Sequence, residues 1–163
     1  MDIYLLRALV FLYLDQPDDA RIDFNHVVNS NPMKIDGLLG MSKFYNYVQN
    51  LDSAVYFTNV AMMMSETFED QKNSLVSRGE IYLNNGQFKM AESSFLKAYE
   101  MDQNDYTILE KVTLTLHGQG KDEEAFRYLD MITDENEING KSLTKMADLT
   151  NKISMYGEAN LYL

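Results

Sequence analysis

The 163-residue chain carries 14 Lys and Arg against 25 Asp and Glu, a formal charge of −11. That balance argues against nucleic acid and anionic membrane surfaces as partners, because both call for a dense basic face. There is no cysteine, so disulfides, thiolate metal sites and a cysteine nucleophile are excluded, while 45% hydrophobic residues with only 2 prolines and 8 glycines suit a folded, helix-rich chain.

The chain opens on an apolar stretch, Ile3 to Leu14, interrupted by Arg7. It is shorter than the roughly 20 apolar residues that cross a bilayer, and it lacks the basic start and small-residue cleavage site of a signal peptide. No membrane insertion is expected. Tyr4, Ala8 and Phe11 recur at helical spacing, and a turn is predicted near Gln16. Pro17, Asp18 and Asp19 then open a second helix: the proline lacks an N–H that would be unpaired there anyway, and the carboxylates face the positive end of the helix dipole. That helix carries Ala20 and Phe24 and runs toward Pro32. Leu38 and Tyr45 mark a third helix, with a turn near Gln49, and Ala54 marks a fourth. The run Met62-Met63-Met64 reads as core plus an extended helix, since consecutive helical residues point in different directions.

The clearest pattern begins at Lys72. Leu75, Gly79 and Tyr82 share one helical face; Asn84-Asn85-Gly86 signals a turn; and Ala91, Phe95 and Ala98 share the next face. Small Gly79 and Ala91 are placed where two helices cross closely. A step of 34 residues repeats the pattern as Leu109, Leu116, a turn near Gly120, Ala125 and Leu129, with Asp122, Glu123 and Glu124 again at a helix start. A further 34 reaches Leu143 and Ala159. Backward, Ala20 and Ala54 are also 34 apart, but Ala54 and Ala91 are 37 apart, so three extra residues near Glu69 to Gln71 should lengthen a helix end or its loop. The chain divides into units of about 1–34, 35–71, 72–105 and 106–139, with a partial fifth over 140–163, as a single repeat domain.

These residues resemble the tetratricopeptide repeat family, whose units read Leu, Gly and Tyr on the first helix and Ala, Phe and Pro on the second. The third unit matches through Leu75, Gly79, Tyr82, Ala91, Phe95 and Ala98, and the first through Ala20, Phe24 and Pro32. Ser42 and Thr113 replace the usual glycine, and Thr58 the usual phenylalanine. The resemblance implies an all-α fold, an α-solenoid of antiparallel helix pairs wound as a right-handed superhelix. It also implies that the first helix of each unit lines a concave face.

The chemistry-bearing motifs of enzymes are missing. His26 and His117 lie in different units without metal-ligand spacing, and no phosphate-binding or nucleophile-elbow glycine pattern is present. No cofactor is called for. The expected role is a non-catalytic scaffold that binds a protein or peptide segment in its groove. The groove residues are Leu39, Lys43, Asn46 and Tyr47 from unit two; Asn73, Val76, Glu80, Leu83 and Asn84 from unit three; and Glu110 and His117 from unit four. Asparagines can pair with a peptide backbone as donor and acceptor, and Tyr or Leu can anchor it. In unit one the corresponding Leu5, Leu9, Leu12 and Tyr13 read as an interface for self-association or docking. Leu5 and Leu9 stand where some members of the family place the Lys and Asn that clamp a terminal carboxylate, which argues against that specialised role. The alternative reading is a regulatory or substrate-presenting module of a longer polypeptide or assembly. The compartment is open: the cytoplasm is favoured, and the periplasm remains if a leader was removed.

Overall fold

The computed structural model describes residues 2–134 and residue 151. The described residues form helices in the order α1 (Ile3–Tyr13), α2 (Pro17–Ser30), α3 (Ile35–Tyr47), α4 (Leu51–Met64), α5 (Phe68–Asn84), α6 (Phe88–Met101), α7 (Tyr106–Gly118) and α8 (Asp122–Asp134), with no strand among them. Each helix packs on the next in the chain, and α1 also packs on α3, and α3 on α5. The architecture is an α-solenoid of helix pairs, with the first helices forming an inner row. The partial fifth unit, with Leu143 and Ala159, lies outside the described residues.

Local chemistry fixes the helix starts. Asp2, Asn50, Thr67 and Asp105 each accept a hydrogen bond from a backbone N–H in the first turn of α1, α4, α5 and α7, pairing a donor that the helix itself cannot satisfy. Pro17 opens α2, followed by Asp18 and Asp19. Among the described helices α5 is the longest, at 17 residues against 13 for α3 and α7. Its first turn contains Glu69 to Gln71, so the three extra residues between Ala54 and Ala91 are taken up as added helix.

The turn within each pair is one motif used four times. Asp15, Gln49, Gly86 and Gly120 all have positive φ, between 58° and 73°. In each case the next residue's N–H reaches back to the carbonyl five positions earlier: Gln16 to Phe11, Asn50 to Tyr45, Gln87 to Tyr82 and Lys121 to Leu116, at 2.8–3.0 Å. This is the left-handed Schellman ending, which pairs helix carbonyls that would otherwise lack donors.

Within the pairs, the crossing is set by a small residue on the first helix and its opposite number 16 residues later. A Cβ placed on Gly79 would lie 2.4 Å from the Phe95 ring, and Phe95 is fully buried. In α1/α2 the pair is Ala8 with Phe24, both fully buried. In α3/α4 it is Ser42 with Thr58, whose hydroxyls are 2.7 Å apart and buried. Thr58 Oγ1 also donates to the Ala54 carbonyl. The departures from the glycine and phenylalanine pattern thus belong together: two medium polar side chains fill the space of one absent and one large side chain, and their hydroxyls satisfy each other. One core cluster runs from Leu75 through Phe95, Ala98 and Ile108 to Ala125. Another joins Ala8, Phe24, Met41 and Phe44.

Candidate binding cleft on the inner helices

The C-terminal ends of α1, α3 and α5 bound an open cleft of about 510 Å³, lined by Leu12, Lys43, Asn46, Tyr47, Gln49, Asn84 and Asn85. It forms because these helices end at equivalent heights, on turns of the same geometry. The Asn85 amide spans two helices: its Nδ2 donates to Asn46 Oδ1 at 3.0 Å and to the Ile81 carbonyl at 2.8 Å. The Tyr47 hydroxyl donates to the Asp15 carboxylate, tying α3 to the turn after α1. That bond raises the phenol's pKa, so Tyr47 stays a neutral donor through the physiological range. Among the described residues the lining has one cation, Lys43, and no carboxylate. The arrangement offers amide donors and acceptors beside an aromatic ring and an aliphatic wall.

Of the residues singled out by sequence, Leu12, Lys43, Asn46, Tyr47 and Asn84 meet in this cleft. Gln49 and Asn85 join them from turn positions that a helical-face pattern does not reach. The other expected groove residues lie elsewhere. Leu39 is half-buried, and Asn73 is exposed nearer the start of α5. Val76 and Leu83 are half-buried against the main core cluster. Glu80 takes a hydrogen bond from Lys111 at 2.5 Å, Glu110 is half-buried, and His117 Nδ1 is bonded to the Asp122 carboxylate at 2.8 Å.

The first helix differs from expectation. Leu5, Leu9 and Leu12 are half-buried and pack in the first core cluster with Met41 and Phe44, because α3 covers that face. They are not exposed together; Tyr13, at 90% exposure, is the one residue of the expected interface that stands clear. The exposed apolar residues of α1 are instead Ile3, Tyr4, Leu6 and Val10, with Tyr13 and Leu14 at its end.

Two ion-pair sites stiffen the scaffold away from the cleft. Arg7 donates to both oxygens of the buried Asp23, at 2.6 and 2.7 Å, and this pairing holds the Asp23 carboxyl below the usual carboxylate range. Lys72, also buried, sits among Asp102 at 2.8 Å, Glu69 at 3.1 Å and Asp105 at 3.5 Å. The Asp102 hydrogen bond, aided by Glu69, raises its pKa well above the ordinary lysine value.

A family model of the tetratricopeptide repeat matches residues 73–105, which span most of α5, all of α6 and the loop that follows. The chain carries a tetratricopeptide repeat and has the tetratricopeptide fold. Solved structures agree along almost its whole length. A tetratricopeptide repeat protein from Parabacteroides merdae superposes with a TM-score of 0.79 at 18% identity, over 96% of this chain and 58% of that one. The chain therefore spans little more than half the length of that protein. PilF of Pseudomonas aeruginosa gives a TM-score of 0.67 at 17% identity, over 98% of this chain and 71% of PilF. A chain of the Cut9–Hcn1 hetero-tetramer of the APC/C gives 0.68 at 14% identity, over 94% and 30%. No curated protein sequence matches the chain. At these identities the likeness establishes the fold, and that fold is one suited to protein–protein interaction scaffolds.

Proposed function

We propose that the chain is a single, non-catalytic repeat domain that holds an extended or helical segment of a partner protein in its inner cleft. The observation that carries this reading is the cleft lining: four amide side chains, Asn46, Gln49, Asn84 and Asn85, converge with Tyr47, Lys43 and Leu12 at the ends of three successive inner helices. Amides can pair with both the N–H and the C=O of a peptide backbone, while Tyr47 and Leu12 offer apolar area for an anchor side chain. With Lys43 as the cation and no carboxylate among the described lining residues, a neutral segment suits the cleft better than the basic one that the overall charge of −11 would attract. Long-range attraction and local fit then act at different stages, the first on encounter and salt dependence, the second on residence.

The test uses a segment captured by the intact chain and then titrated by calorimetry against the parent and an Asn46→Ala/Asn84→Ala variant. We expect binding weaker by about tenfold, the order of one or two lost interfacial hydrogen bonds, with helicity and unfolding midpoint nearly unchanged. Equal affinity for parent and variant would remove the cleft as the site and move attention to the outer helices. The second reading, a module within a larger assembly, draws on a separate observation, the exposed apolar face of α1.

A further inference from the structure

The run Met62-Met63-Met64 is split by the fold. Met62 packs against the main core cluster, whereas Met63 is 80% exposed and Met64 lies at the surface beside it. Met63 and Met64 line an open cavity of about 400 Å³ together with Met33 and Ile35, and Glu66 and Asp70 stand in the same lining. The cavity lies at the edge of the solenoid, between the α2–α3 and α4–α5 connections. Each of α2, α3, α4 and α5 has a helix of this chain packed on both sides, so this edge is open whatever stacks at either end of the solenoid. The fold exposes these positions without asking for methionine. The outer helices α2, α4 and α6 end on Asn31, Ser65 and Asp102. Two places before those ends stand Asn29, Met63 and Glu100; two places after them stand Met33, Thr67 and Asn104. All six are exposed, and the four that are not methionine are polar. Single apolar residues on a surface are ordinary, but these two meet in one cavity across neighbouring units. The charge beside them is one-sided. Asp70 accepts the Thr67 hydroxyl at 2.7 Å, and among the described residues no cation pairs with Glu66 or Asp70. The lysines nearest in sequence are committed elsewhere, Lys34 to Asp2 at 3.3 Å and Lys72 to Glu69, Asp102 and Asp105.

We infer that this cavity receives a basic, amphipathic segment of a partner protein. A large apolar side chain of the segment sits among Met33, Met63 and Met64, and a Lys or Arg next to it lies over Glu66 and Asp70. Methionine suits the first task, because its unbranched, polarizable side chain adapts to the shape of an apolar guest. The two carboxylates suit the second: they favour a cation at the rim and repel an acidic segment, and they steer the encounter. The site is distinct from the cleft at the other end of the inner helices. That cleft offers amides and Lys43; this cavity offers thioethers and carboxylates. The two therefore select segments of different chemistry.

The experiment follows the methionine methyl signals of the intact, methyl-labelled chain by NMR. The probe is a synthetic amphipathic peptide of leucine and lysine, compared with one analogue that has Glu for Lys and another that has Ser for Leu. We expect the leucine–lysine peptide to shift the Met33, Met63 and Met64 methyls to saturation, at least about tenfold more tightly than either analogue, and more weakly as salt is raised. Met33→Thr with Met63→Asn, the residue types of Thr67 and Asn29, should weaken that binding by about tenfold and leave the unfolding midpoint unchanged. Glu66→Gln should weaken it less and flatten its salt dependence. The Asn46→Ala/Asn84→Ala variant should bind the peptide as the parent does, which separates this site from the inner cleft. Methyl signals that do not move, or a serine analogue that binds equally well, would overturn the inference. So would parent-like affinity in the methionine variant, or a midpoint lowered by it, which would make the methionines structural. A Met63 methyl that a paramagnetic co-solute fails to broaden in the free chain would also overturn it, by showing the cavity already filled by the chain itself.

Discussion

The crossings of α3 with α4 and of α5 with α6 solve one problem with different atoms. In α5/α6 the first helix gives up its side chain at Gly79 and the second fills the space with the Phe95 ring. In α3/α4 both helices keep medium side chains, Ser42 and Thr58, and the hydroxyls pair. The backbone outcome is the same: two helices on the same turn geometry, 37 residues apart. What differs is tolerance. An apolar ring against bare backbone has no room to give, because the interior is close-packed. A hydroxyl pair loses one bond at a time. The family model matches residues 73–105, the pair that holds the glycine and phenylalanine; α3/α4 reaches the same geometry through other residue types.

The largest expected effect follows from that contrast. Gly79→Ala puts a methyl group 2.4 Å from a buried ring, and we expect a loss of about 3 kcal/mol, the upper range for overpacking. Ser42→Ala should cost only about 1 kcal/mol, the worth of one hydrogen bond, because Thr58 keeps its bond to the Ala54 carbonyl. Chemical denaturation of both variants checks the ratio. A double-mutant cycle sharpens it: Thr58→Phe alone should destabilise strongly, and Ser42→Gly added to it should recover much of the loss, since together they rebuild the α5/α6 solution. If the two changes are additive, the two crossings are not equivalent. Ala91→Leu, at the same crossing as Gly79, should cost about 2 kcal/mol for the same reason.

A second effect, of about 2 kcal/mol, belongs to Lys72→Ala, which leaves Glu69, Asp102 and Asp105 facing one another without their cation. The first half has its own ion pair, the exposed Arg7 on the buried Asp23, and the two should separate by pH. Asp23 is held below its ordinary value near 3.8, so its contribution is complete above that value and is lost as pH falls through its lower, folded value. Lys72 is raised above 10.5, so its contribution is complete below that value and is lost only as pH rises beyond it. Stability measured from neutral pH downward should therefore fall less in Arg7→Ala than in the parent. The alkaline limb should be blunted by Lys72→Ala instead. Parallel acid limbs in Arg7→Ala and the parent would show that the first pair carries no such linkage.

Much of this was legible in the sequence, and the parts that were not have physical reasons. The 34-residue period, the turns at Gln16, Gln49, Gly86 and Gly120, and the added length near Glu69 follow from residue types that recur at fixed places. The orientation of α1 did not follow. From Ile3 to Leu12 it is apolar on nearly every side, so helical spacing alone cannot tell which face α3 will cover, and the half-buried set packed on the core is Leu5, Leu9 and Leu12 rather than the exposed Ile3, Leu6 and Val10. In the candidate cleft, Asn46, Tyr47 and Asn84 were legible as groove-facing helix positions. Gln49 and Asn85 were not, because they sit in turns and enter through a conformation that no amphipathic pattern encodes. The Lys72 cluster draws in Asp102 and Asp105, 30 and 33 residues further on, on a lysine that reads like any surface charge until the loop after α6 folds over it.

The smallest effect reverses sign between the two halves. All four turn residues sit at positive φ, but the first half uses Asp15 and Gln49 and the second uses Gly86 and Gly120. For a residue with a Cβ that conformation costs about 1 kcal/mol or more, whereas glycine adopts it freely. Nothing lies within 4 Å of a Cβ built on Gly86 or Gly120, so Gly86→Ala and Gly120→Ala test the backbone term without a packing term, and each should lose about 1 kcal/mol. Gln49→Gly should go the other way and gain about 0.5 kcal/mol, the relief of φ being partly offset by the extra freedom of glycine in the unfolded chain. Asp15→Gly is expected to gain less, because Asp15 also accepts the Tyr47 hydroxyl and that link would be lost. The order Gln49→Gly above Asp15→Gly above parent above Gly86→Ala, read from denaturation midpoints, is what a shared left-handed turn requires. A Gln49→Gly variant less stable than the parent would mean that the glutamine side chain contributes more at the cleft than its backbone strain costs.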